Sequence, residues 1–361
     1  MNKEDLKLLK EFSEVNGVSG NEKEVAKLVK RELEPIADKI EFDNLGSIIC
    51  TKNGPKNGPT VLIAGHMDEV GFLVAQIEKS GMIRLHPIGG WWNHVILAEV
   101  MQVINRKGKI FYGVIGAQPP HGMSAAQRNA VLETKDLYLD LGVSSKEDVE
   151  KLGISVGDQV IPSTEFRVLN DGKTLLGKAW DDRIGVAIGV EVMKRLKAES
   201  LGCTVSFAGT VQEEVGLRGA RTASYHVQPD IAFAIDVTMS YDLPGSPDKP
   251  TKLGSGVALS VLDGSVIAHR GLFEFVEEVA KENNVKYTYD MLTAGGTDSG
   301  EIHKQVNGVI TMTLSLACRY FHSHTSLIHY DDYEQAVNLL VNVIKGIDAK
   351  KLTDLKESKY K

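Results

Sequence analysis

The sequence predicts an α/β protein that is interrupted by a second, smaller domain of β-strands. In the two outer segments, short apolar runs alternate with helical patterns, which is typical of a sheet covered by helices. Between residues 70 and 164 the pattern changes to short β-like runs separated by Gly and Pro turns. Several of the apolar runs are followed by a histidine or a carboxylate. Residues 1–69 and 165–361 are therefore predicted to form one discontinuous domain around an insertion at 70–164.

Composition limits the classes of function. The chain has 361 residues, of which 42% are hydrophobic and 25% charged, as in ordinary globular proteins with a large core. A net charge of -7, without any basic run interleaved with aromatics, argues against nucleic-acid binding. No signal-peptide pattern or membrane-length apolar stretch occurs, so no membrane partner is expected. The three cysteines are widely spaced, which favours a reduced, cytoplasmic protein.

The N-terminal region is predicted to be scaffold. Apolar residues at helical spacing predict a helix over residues 3–15. Ser19 and Glu22 fit a capping box that begins a second helix, which extends to about residue 37. Residues 40–51 then alternate like a strand with a Gly turn.

The first motif with chemical content follows the apolar strand predicted at residues 60–64. His66 and Asp68 come directly after it and, being two residues apart, face the same side. Histidine is a common metal ligand, and a neighbouring carboxylate fixes its tautomer and raises its basicity. By itself this spacing more often marks a structural hydrogen-bonded pair, so the motif requires support from the rest of the chain.

The insertion has the pattern of a small β-domain with few helices. It contains no cluster of histidines and carboxylates, so we expect it to support the chemistry without performing it. The β-like runs cover residues 71–77, 82–87, 99–105, 109–115, 137–141 and 159–161.

Two acidic pairs follow the insertion. Asp181 and Asp182 stand at the start of a helix, where an Asp can cap the helix or bridge two metal ions. Glu213 and Glu214 follow the apolar strand at residues 204–208. Neighbouring side chains on extended backbone point in different directions, so one glutamate could bind a metal while the other moves a proton. An isolated Glu-Glu pair is more often a solvated turn.

Two further strands are followed by polar groups: an apolar strand ends in Asp236, and His322 follows the strand at residues 310–317. Polar groups at the carboxyl ends of strands in an α/β sheet converge on one crevice. Two imidazoles and several carboxylates suit two divalent ions that share a bridging carboxylate and activate a water molecule. The convergent set is His66, Asp181, Glu213, Glu214, Asp236 and His322.

Together these motifs resemble those of the M42 family of metallo-aminopeptidases, which includes glutamyl and deblocking aminopeptidases and the tetrahedral TET peptidases. The resemblance covers essentially the whole chain. It implies a three-layer α/β/α dinuclear metallopeptidase domain with an inserted small β-barrel or PDZ-like domain that serves oligomerisation and substrate access. The matching motifs are Gly65-His66-Met-Asp68-Glu69, Trp180-Asp181-Asp182-Arg183, Gln212-Glu213-Glu214, Asp236 and Arg319-Tyr320-Phe-His322-Ser323.

The resemblance also implies a role for each residue of the set. Asp181, rather than Asp182, would bridge two ions (zinc or cobalt, or else manganese). His66 and Asp236 would complete one metal site, and Glu214 and His322 the other. Asp68 would orient His66. Glu213 would be the general base.

The implied activity is removal of N-terminal residues from short peptides by a cytoplasmic homo-oligomer, a dimer that assembles further to a dodecamer. Acidic N-terminal residues are a candidate preference. Arg319, Arg270 and Lys252 are the candidates for pairing with them, and each could equally be a solvated surface charge. Gly296 and Thr297 lie in a glycine-rich loop that would let substrate approach the backbone. After His322 the sequence departs from many relatives, which have Pro where this chain has His324. That imidazole is a further candidate for contact with substrate.

Two other classes of function remain open. A glucanase-type glycoside hydrolase also uses paired carboxylates, although it needs no histidine pair and the aromatic content here is only 6%. A non-catalytic assembly protein could hold metal structurally, although structural zinc sites are usually closed and rich in cysteine. Peptidase and cellulose assays with and without a chelator separate the three.

Overall fold

An eight-stranded sheet and a separate closed barrel organise the protein. The computed structural model describes residues 1–361. The helices are α1 (Lys3–Glu14), α2 (Lys23–Leu33), α3 (Ala125–Asn129), α4 (Lys146–Lys151), α5 (Trp180–Leu196), α6 (Arg218–Val227), α7 (Arg270–Glu282), α8 (Ser299–Ile302), α9 (Tyr330–Lys345) and α10 (Ala349–Glu357). The strands are β1 (Lys39–Phe42), β2 (Ile48–Lys52), β3 (Thr60–His66), β4 (Gly71–Ile77), β5 (Ile83–Ile88), β6 (Val100–Ile104), β7 (Ile110–Gly116), β8 (Tyr138–Asp140), β9 (Gln159–Pro162), β10 (Arg167–Val168), β11 (Thr174–Gly177), β12 (Thr204–Thr210), β13 (Ile231–Met239), β14 (Val257–Leu262), β15 (Tyr287–Met291), β16 (Ile310–Cys318) and β17 (Ser326–His329).

The eight-stranded sheet has the order β1-β2-β12-β3-β13-β16-β14-β15. Its four central strands, β12, β3, β13 and β16, are parallel neighbours. Their carboxyl ends therefore meet at one edge, where ligand sites of α/β sheets usually lie.

Helices cover both faces of this sheet. Along β3, Val61 and Ile63 belong to a core of 57 buried residues that includes side chains of α1, α2, α5, α7 and α9. Leu62 and Ala64, which point the other way because strand side chains alternate, pack with residues of α6 and α8. The result is the predicted three-layer α/β/α arrangement. None of the helices is both long and apolar enough to cross a membrane.

The insertion forms a closed barrel of order β4-β5-β8-β7-β6-β9 with its own core of 13 buried residues. Its first and last strands pair with each other, with Phe72 opposite Val160. The chain therefore enters and leaves the barrel at neighbouring positions. The predicted fold class, an α/β domain with an inserted small β-barrel, is confirmed.

The predicted capping box is wrong. Helix α2 begins at Lys23, and its N-cap residue, Glu22, makes no side-chain capping bond. The Ser19 hydroxyl donates instead to a carboxylate oxygen of Asp68 (2.6 Å), and Glu22 accepts from the backbone N–H of Gln212 (3.1 Å). Partners from distant segments thus replace the predicted bonds between Ser19 and Glu22, while Glu22 keeps one local bond, accepted from the backbone N–H of Gly20 (2.6 Å).

Two predicted boundaries also differ. Helix α2 ends at Leu33 rather than near residue 37, because Pro35 has no backbone N–H to continue the helical hydrogen bonds. Asp236 lies inside β13 rather than at its end, because β13 continues its pairing with β16 as far as Met239.

Candidate active site

His66 ends strand β3 and is buried, with 2% of its surface exposed. Its Nδ1 donates to the backbone carbonyl of Asp68 (3.0 Å), which turns Nε2 towards the centre of the site. Nε2 lies 3.1 Å from Oδ1 of Asp181 and 3.9 Å from Oε2 of Glu213. The ring is therefore oriented by the backbone of Asp68, and its free nitrogen faces two carboxylates.

The carboxylate of Asp68 holds the Glu-Glu pair. The nearest carboxylate oxygen of Asp68, Oδ1, is 3.6 Å from Nδ1 of His66, which is longer than a hydrogen bond. Oδ1 accepts instead from the backbone N–H of Glu213 (3.0 Å), and Oδ2 accepts from that of Glu214 (3.1 Å). Burial alone would raise the pKa of Asp68, but the neighbouring His66 and these donors lower it. Asp68 thus orients His66 through its carbonyl and both glutamates through its side chain.

Asp181 stands between the two predicted imidazoles. Its Oδ1 faces His66, and its Oδ2 lies 3.2 Å from Nε2 of His322. Asp182 turns the other way and accepts from the backbone N–H groups of His66 (3.2 Å) and Gly185 (2.9 Å). Burial alone would raise the pKa of Asp181, but the hydrogen bonds to the two imidazoles lower it. Of the two aspartates, Asp181 therefore has the geometry of a bridging carboxylate.

The adjacent glutamates face different imidazoles. Glu213 approaches His66, whereas Oε2 of Glu214 is 3.7 Å from Nε2 of His322. Oε1 of Glu214 is buried without a hydrogen-bond partner. Burial, with the charge of Asp181, raises the pKa of Glu214 to about 7, and burial raises the pKa of Glu213 as well.

The clustered residues could hold a divalent metal ion. Two overlapping sets have ligand atoms within 4.8 Å of one another: His66, Asp181 and Glu214, and His66, Glu213 and Asp236. His322 belongs to neither set, and Glu214 is grouped with His66, so these sets differ from the division of ligands that the resemblance implies. Burial and the charge of Asp181 raise the pKa of Asp236. Buried carboxylates with an unpartnered oxygen are costly unless a cation compensates them. A mixed imidazole and carboxylate set is suited to zinc and similar divalent ions.

His322 is held by the barrel. It has a left-handed backbone (φ 56), its side chain is 35% exposed, and its Nδ1 donates to the carbonyl of Gly90 (2.6 Å), just after β5. Burial alone would lower the pKa of His322, but Asp181 and Glu214 raise it to about 10. This contribution of the insertion cannot be predicted from the sequence, because a backbone carbonyl has no sequence signature. The Gly89-Gly90 pair after a β-like run was the only available signal.

A buried charge network supports the His66 side from behind. Glu69 accepts from Nζ of Lys178 at 2.7 and 2.8 Å and from Nη2 of Arg183 at 3.0 Å. Arg183 also donates to the backbone carbonyls of Met67 (2.6 Å) and Val15 (2.6 Å). Burial lowers the pKa of Lys178 to about 8. The network ties the end of β3 to the start of α5, and so ties His66 to Asp181.

The four predicted substrate-binding residues are each engaged with other parts of the protein. Nε and Nη2 of Arg319 donate to both oxygens of Asp242 (2.8 and 2.7 Å). The Thr297 hydroxyl donates to Asp263 (2.8 Å), and the backbone of Gly296 packs closely on Ser265. His324 faces the barrel, with Nε2 3.2 Å from a carboxylate oxygen of Glu99.

The three-layer domain, the inserted barrel and the histidine–carboxylate cluster together define a protein of the metallopeptidase fold class. Comparison with protein families gives the particular family. The model described as M42 glutamyl aminopeptidase matches residues 46–339. The chain belongs to the M42 peptidase family and is an enzyme that hydrolyses peptides. A second model, described as AMPT, matches residues 3–27.

Relatives match over nearly their whole length. A putative aminopeptidase of Escherichia coli (strain K12), FrvX, is 34% identical over 96% of this chain and 97% of its own. The glutamyl aminopeptidase of Lactococcus lactis subsp. cremoris is 33% identical over 96% of this chain and 98% of its own. The lysyl aminopeptidase of Pyrococcus furiosus is 31% identical over 95% and 99%.

Solved structures agree. The TET aminopeptidase of Thaumarchaeota archaeon SCGC AB-539-E09 superimposes with a TM-score of 0.95 at 37% identity, covering 98% of this chain and 99% of that one. The TET1 peptidase of Pyrococcus horikoshii, described as assembling into a tetrahedron or a large octahedral shell, has a TM-score of 0.86 at 33% identity and covers 95% and 100%.

Proposed function

We propose that this protein is a metal-dependent aminopeptidase that removes N-terminal residues from short peptides with the help of two divalent ions. The observation that carries the proposal is the position of Asp181, with one carboxylate oxygen towards His66 and the other towards His322. We assign Asp181 as the bridging ligand. We assign His66 and Asp236 to one ion, and Glu214 and His322 to the other. Zinc or cobalt fits this donor set best, with manganese as the alternative.

Glu213 is assigned as the general base. When bound, the two ions would polarise the scissile carbonyl and make a water molecule acidic enough to attack at neutral pH. Glu213 takes the proton of the attacking water and returns it to the leaving amine. Burial raises its pKa, which suits a group that must both accept and release a proton. Asp68 fixes the backbone of Glu213 and so keeps the base at a constant distance from His66.

Removal and return of metal is the first test. Exhaustive chelation should abolish cleavage of aminoacyl-nitroanilides, and added Co²⁺ or Zn²⁺ should restore it. Elemental analysis of active protein should give two ions per chain, and Asp181→Asn should lower that number. Active protein with only trace metal would refute the proposal. A cellulose assay run in parallel tests the glucanase alternative. A glucanase would cleave cellulose, whereas a peptidase would cleave the nitroanilides and leave cellulose intact.

Arg319 is one of three candidate partners for an acidic N-terminal side chain of the substrate, beside Arg270 and Lys252. Its guanidinium is paired with Asp242. A glutamyl substrate would therefore have to share or replace Asp242. Relatives of similar identity are named for glutamyl and for lysyl substrates. A panel of glutamyl, leucyl and lysyl nitroanilides measures the preference, and a glutamyl rate below the leucyl rate would refute an acidic one.

We further propose that the inserted domain, residues 70–164, mediates assembly into dimers and then a dodecamer, and that the assembly limits access to small peptides. Its surface exposes apolar side chains such as Trp92 (64% exposed) and Val131 (48%), which are typical of contact surfaces. The Pyrococcus horikoshii relative is described as assembling into a tetrahedron or a large octahedral shell. Light scattering should detect the assembly, and a monomer at every pH and metal concentration would contradict it.

The cysteines support a reducing location, for which we propose the cytoplasm. Cys50, Cys203 and Cys318 are all buried and unpaired with one another. Burial raises the pKa of Cys50 to about 12, so its thiol is unreactive at neutral pH. Thiol titration of the unfolded purified protein should count three free cysteines, and fractionation of the source cells should place the activity in the cytosolic fraction.

A further inference from the structure

We propose that the inserted barrel positions His322 for metal binding, and that His324 and Glu99 form the side-chain contact that transmits this effect. His324 then acts as a positioning residue rather than as a contact to substrate. The inference rests on the proposed function, in which His322 is a metal ligand.

The barrel backbone lies against both His322 and Glu214, the two residues assigned to the second ion. The Gly90 carbonyl accepts from Nδ1 of His322 (2.6 Å), which fixes the tautomer and turns Nε2 towards Asp181. A Cβ atom placed on Gly90 would lie 3.1 Å from Nδ1 of His322, and one on Gly89 would lie 3.0 Å from Oε2 of Glu214. Groups that hold a ligand from behind typically contribute about 10- to 100-fold to metal affinity. The barrel therefore supplies an orienting group to this half of the site.

The segment after His322 is also held by the barrel. Nε2 of His324 lies 3.2 Å from Oε1 of Glu99, the residue before β6, and both side chains are about 30% exposed. The Thr164 hydroxyl, just after β9, donates to the backbone carbonyl of His324 (2.7 Å). Nδ1 of His324 is buried without a partner. The His324 ring therefore makes its polar contact through Nε2, with Glu99 of the inserted domain.

The loop needs such support because of its backbone. Tyr320 and His322 both have left-handed backbones (φ 63 and 56), although neither is glycine. Non-glycine residues adopt this conformation at a cost, and it persists where the surroundings impose it. Contacts to Gly90, Glu99 and Thr164 surround the loop on its barrel side. Loss of one of them should let the His322 ring move away from the position it shares with Glu214.

The test is a double-mutant cycle in the full-length protein. Glu99→Ala, His324→Ala and the double variant are stripped of metal and titrated with Co²⁺, whose visible absorption reports the geometry of its ligands. Each single change should weaken Co²⁺ binding on the His322 side about threefold to tenfold, as expected for loss of one partly buried polar contact. The rate constant kcat should fall with Co²⁺ occupancy while KM changes less than about twofold. The double variant should be no worse than the poorer single one, and His324→Gln should recover part of the loss.

Two matched controls separate positioning from general stability of the barrel. Glu78→Ala removes an ion pair with Arg84 (2.6 Å) that is of similar exposure and joins two residues of the inserted domain. This variant should leave Co²⁺ affinity unchanged. Gly90→Ala should weaken Co²⁺ binding on the His322 side about tenfold or more. Gly122→Ala, also in the barrel but with only an ordinary contact 3.4 Å from a side chain, should have no effect. Melting curves and light scattering confirm that each variant is folded and assembled.

Three results would overturn the inference: Co²⁺ affinity unchanged in both Glu99→Ala and His324→Ala, equal losses in Glu78→Ala, or losses that simply add in the double variant. His322→Ala and Asp181→Asn are titrated beside them. If those two variants keep both ions and full activity, the proposed function itself fails. If they lose metal while Glu99→Ala does not, only the positioning role of the barrel is refuted.

Discussion

The two imidazoles of the site are supported in opposite ways. His66 ends a central strand, is 2% exposed, and takes its orientation from the adjoining Asp68 carbonyl. His322 lies in a left-handed loop, is 35% exposed, and takes its orientation from Gly90, 232 residues away in another domain. The difference shows that one half of the site is built into the sheet, whereas the other also takes its orientation from a backbone carbonyl of the inserted barrel.

The largest expected effect tests whether the two glutamates, one on each half, have different roles. Glu213→Gln keeps the shape of the side chain but removes the basic oxygen, so kcat should fall about 10²–10⁴-fold while both ions stay bound. Glu214→Gln should weaken the ion on the His322 side, and its activity should partly recover at high metal concentration. Metal stoichiometry and kcat are measured for both variants in parallel.

Reversal of these results would exchange the two roles. If Glu213→Gln lost a metal and responded to added metal while Glu214→Gln did not, Glu214 would be the base. If neither change reduced peptidase activity by more than about tenfold, the general-base assignment would be wrong.

Substitution in the buried charge network behind His66 should have the next largest effect, on the free energy of unfolding. Glu69→Gln leaves Lys178 and Arg183 buried without their shared carboxylate, which typically costs about 3–5 kcal/mol in the free energy of unfolding. The control, Glu32→Gln, removes partly exposed ion pairs to Lys194 and Arg31 and should cost under about 1 kcal/mol. Urea denaturation of the metal-free variants measures both, and equal costs would show that the buried network is not special.

The His322 half should respond to pH in a direction that depends on metal. The pKa of His322 in the metal-free protein is raised from about 6.5 to about 10. The stabilisation of the fold by charged His322 is therefore complete below pH about 6.5 and is lost as pH rises through 10. Metal affinity should rise over the same window, because binding releases that proton. Urea midpoints of metal-free wild-type and His322→Gln proteins test the sign, and an equally steep decline in His322→Gln would contradict the assignment.

The smallest effect concerns substrate selectivity on the His322 side of the site. Asp242→Asn removes the charge that neutralises Arg319, and should raise the ratio of glutamyl to leucyl cleavage about threefold to tenfold, the range of a partly exposed ion pair. The two nitroanilides are compared by kcat/KM. An unchanged ratio would mean that Arg319 does not face the substrate side chain.

The sequence was sufficient where a residue type carries the signal. The apolar strands with polar residues at or after their ends indicated the sheet and the convergent set, and the change of pattern at residue 70 indicated the barrel. It could not show that Ser19 binds Asp68 instead of capping α2, or that a Gly90 carbonyl holds His322, because these contacts join distant segments and one uses only backbone. The choice between Asp181 and Asp182 depends likewise on how the backbone turns at the start of α5, which the residue types alone leave open.

The pairing of β4 with β9 has a consequence for how the chain folds. Strands β3 and β12 pair although the whole insertion separates them. If the barrel folds first, Phe72 and Val160 are already neighbours, and the loop that pairing of β3 with β12 must close shrinks from about 140 to about 50 residues. Loop-closure entropy then opposes that pairing by about 1 kcal/mol less. In that case substitutions that loosen the barrel should slow the pairing of β3 with β12, and the insertion would speed formation of the catalytic fold.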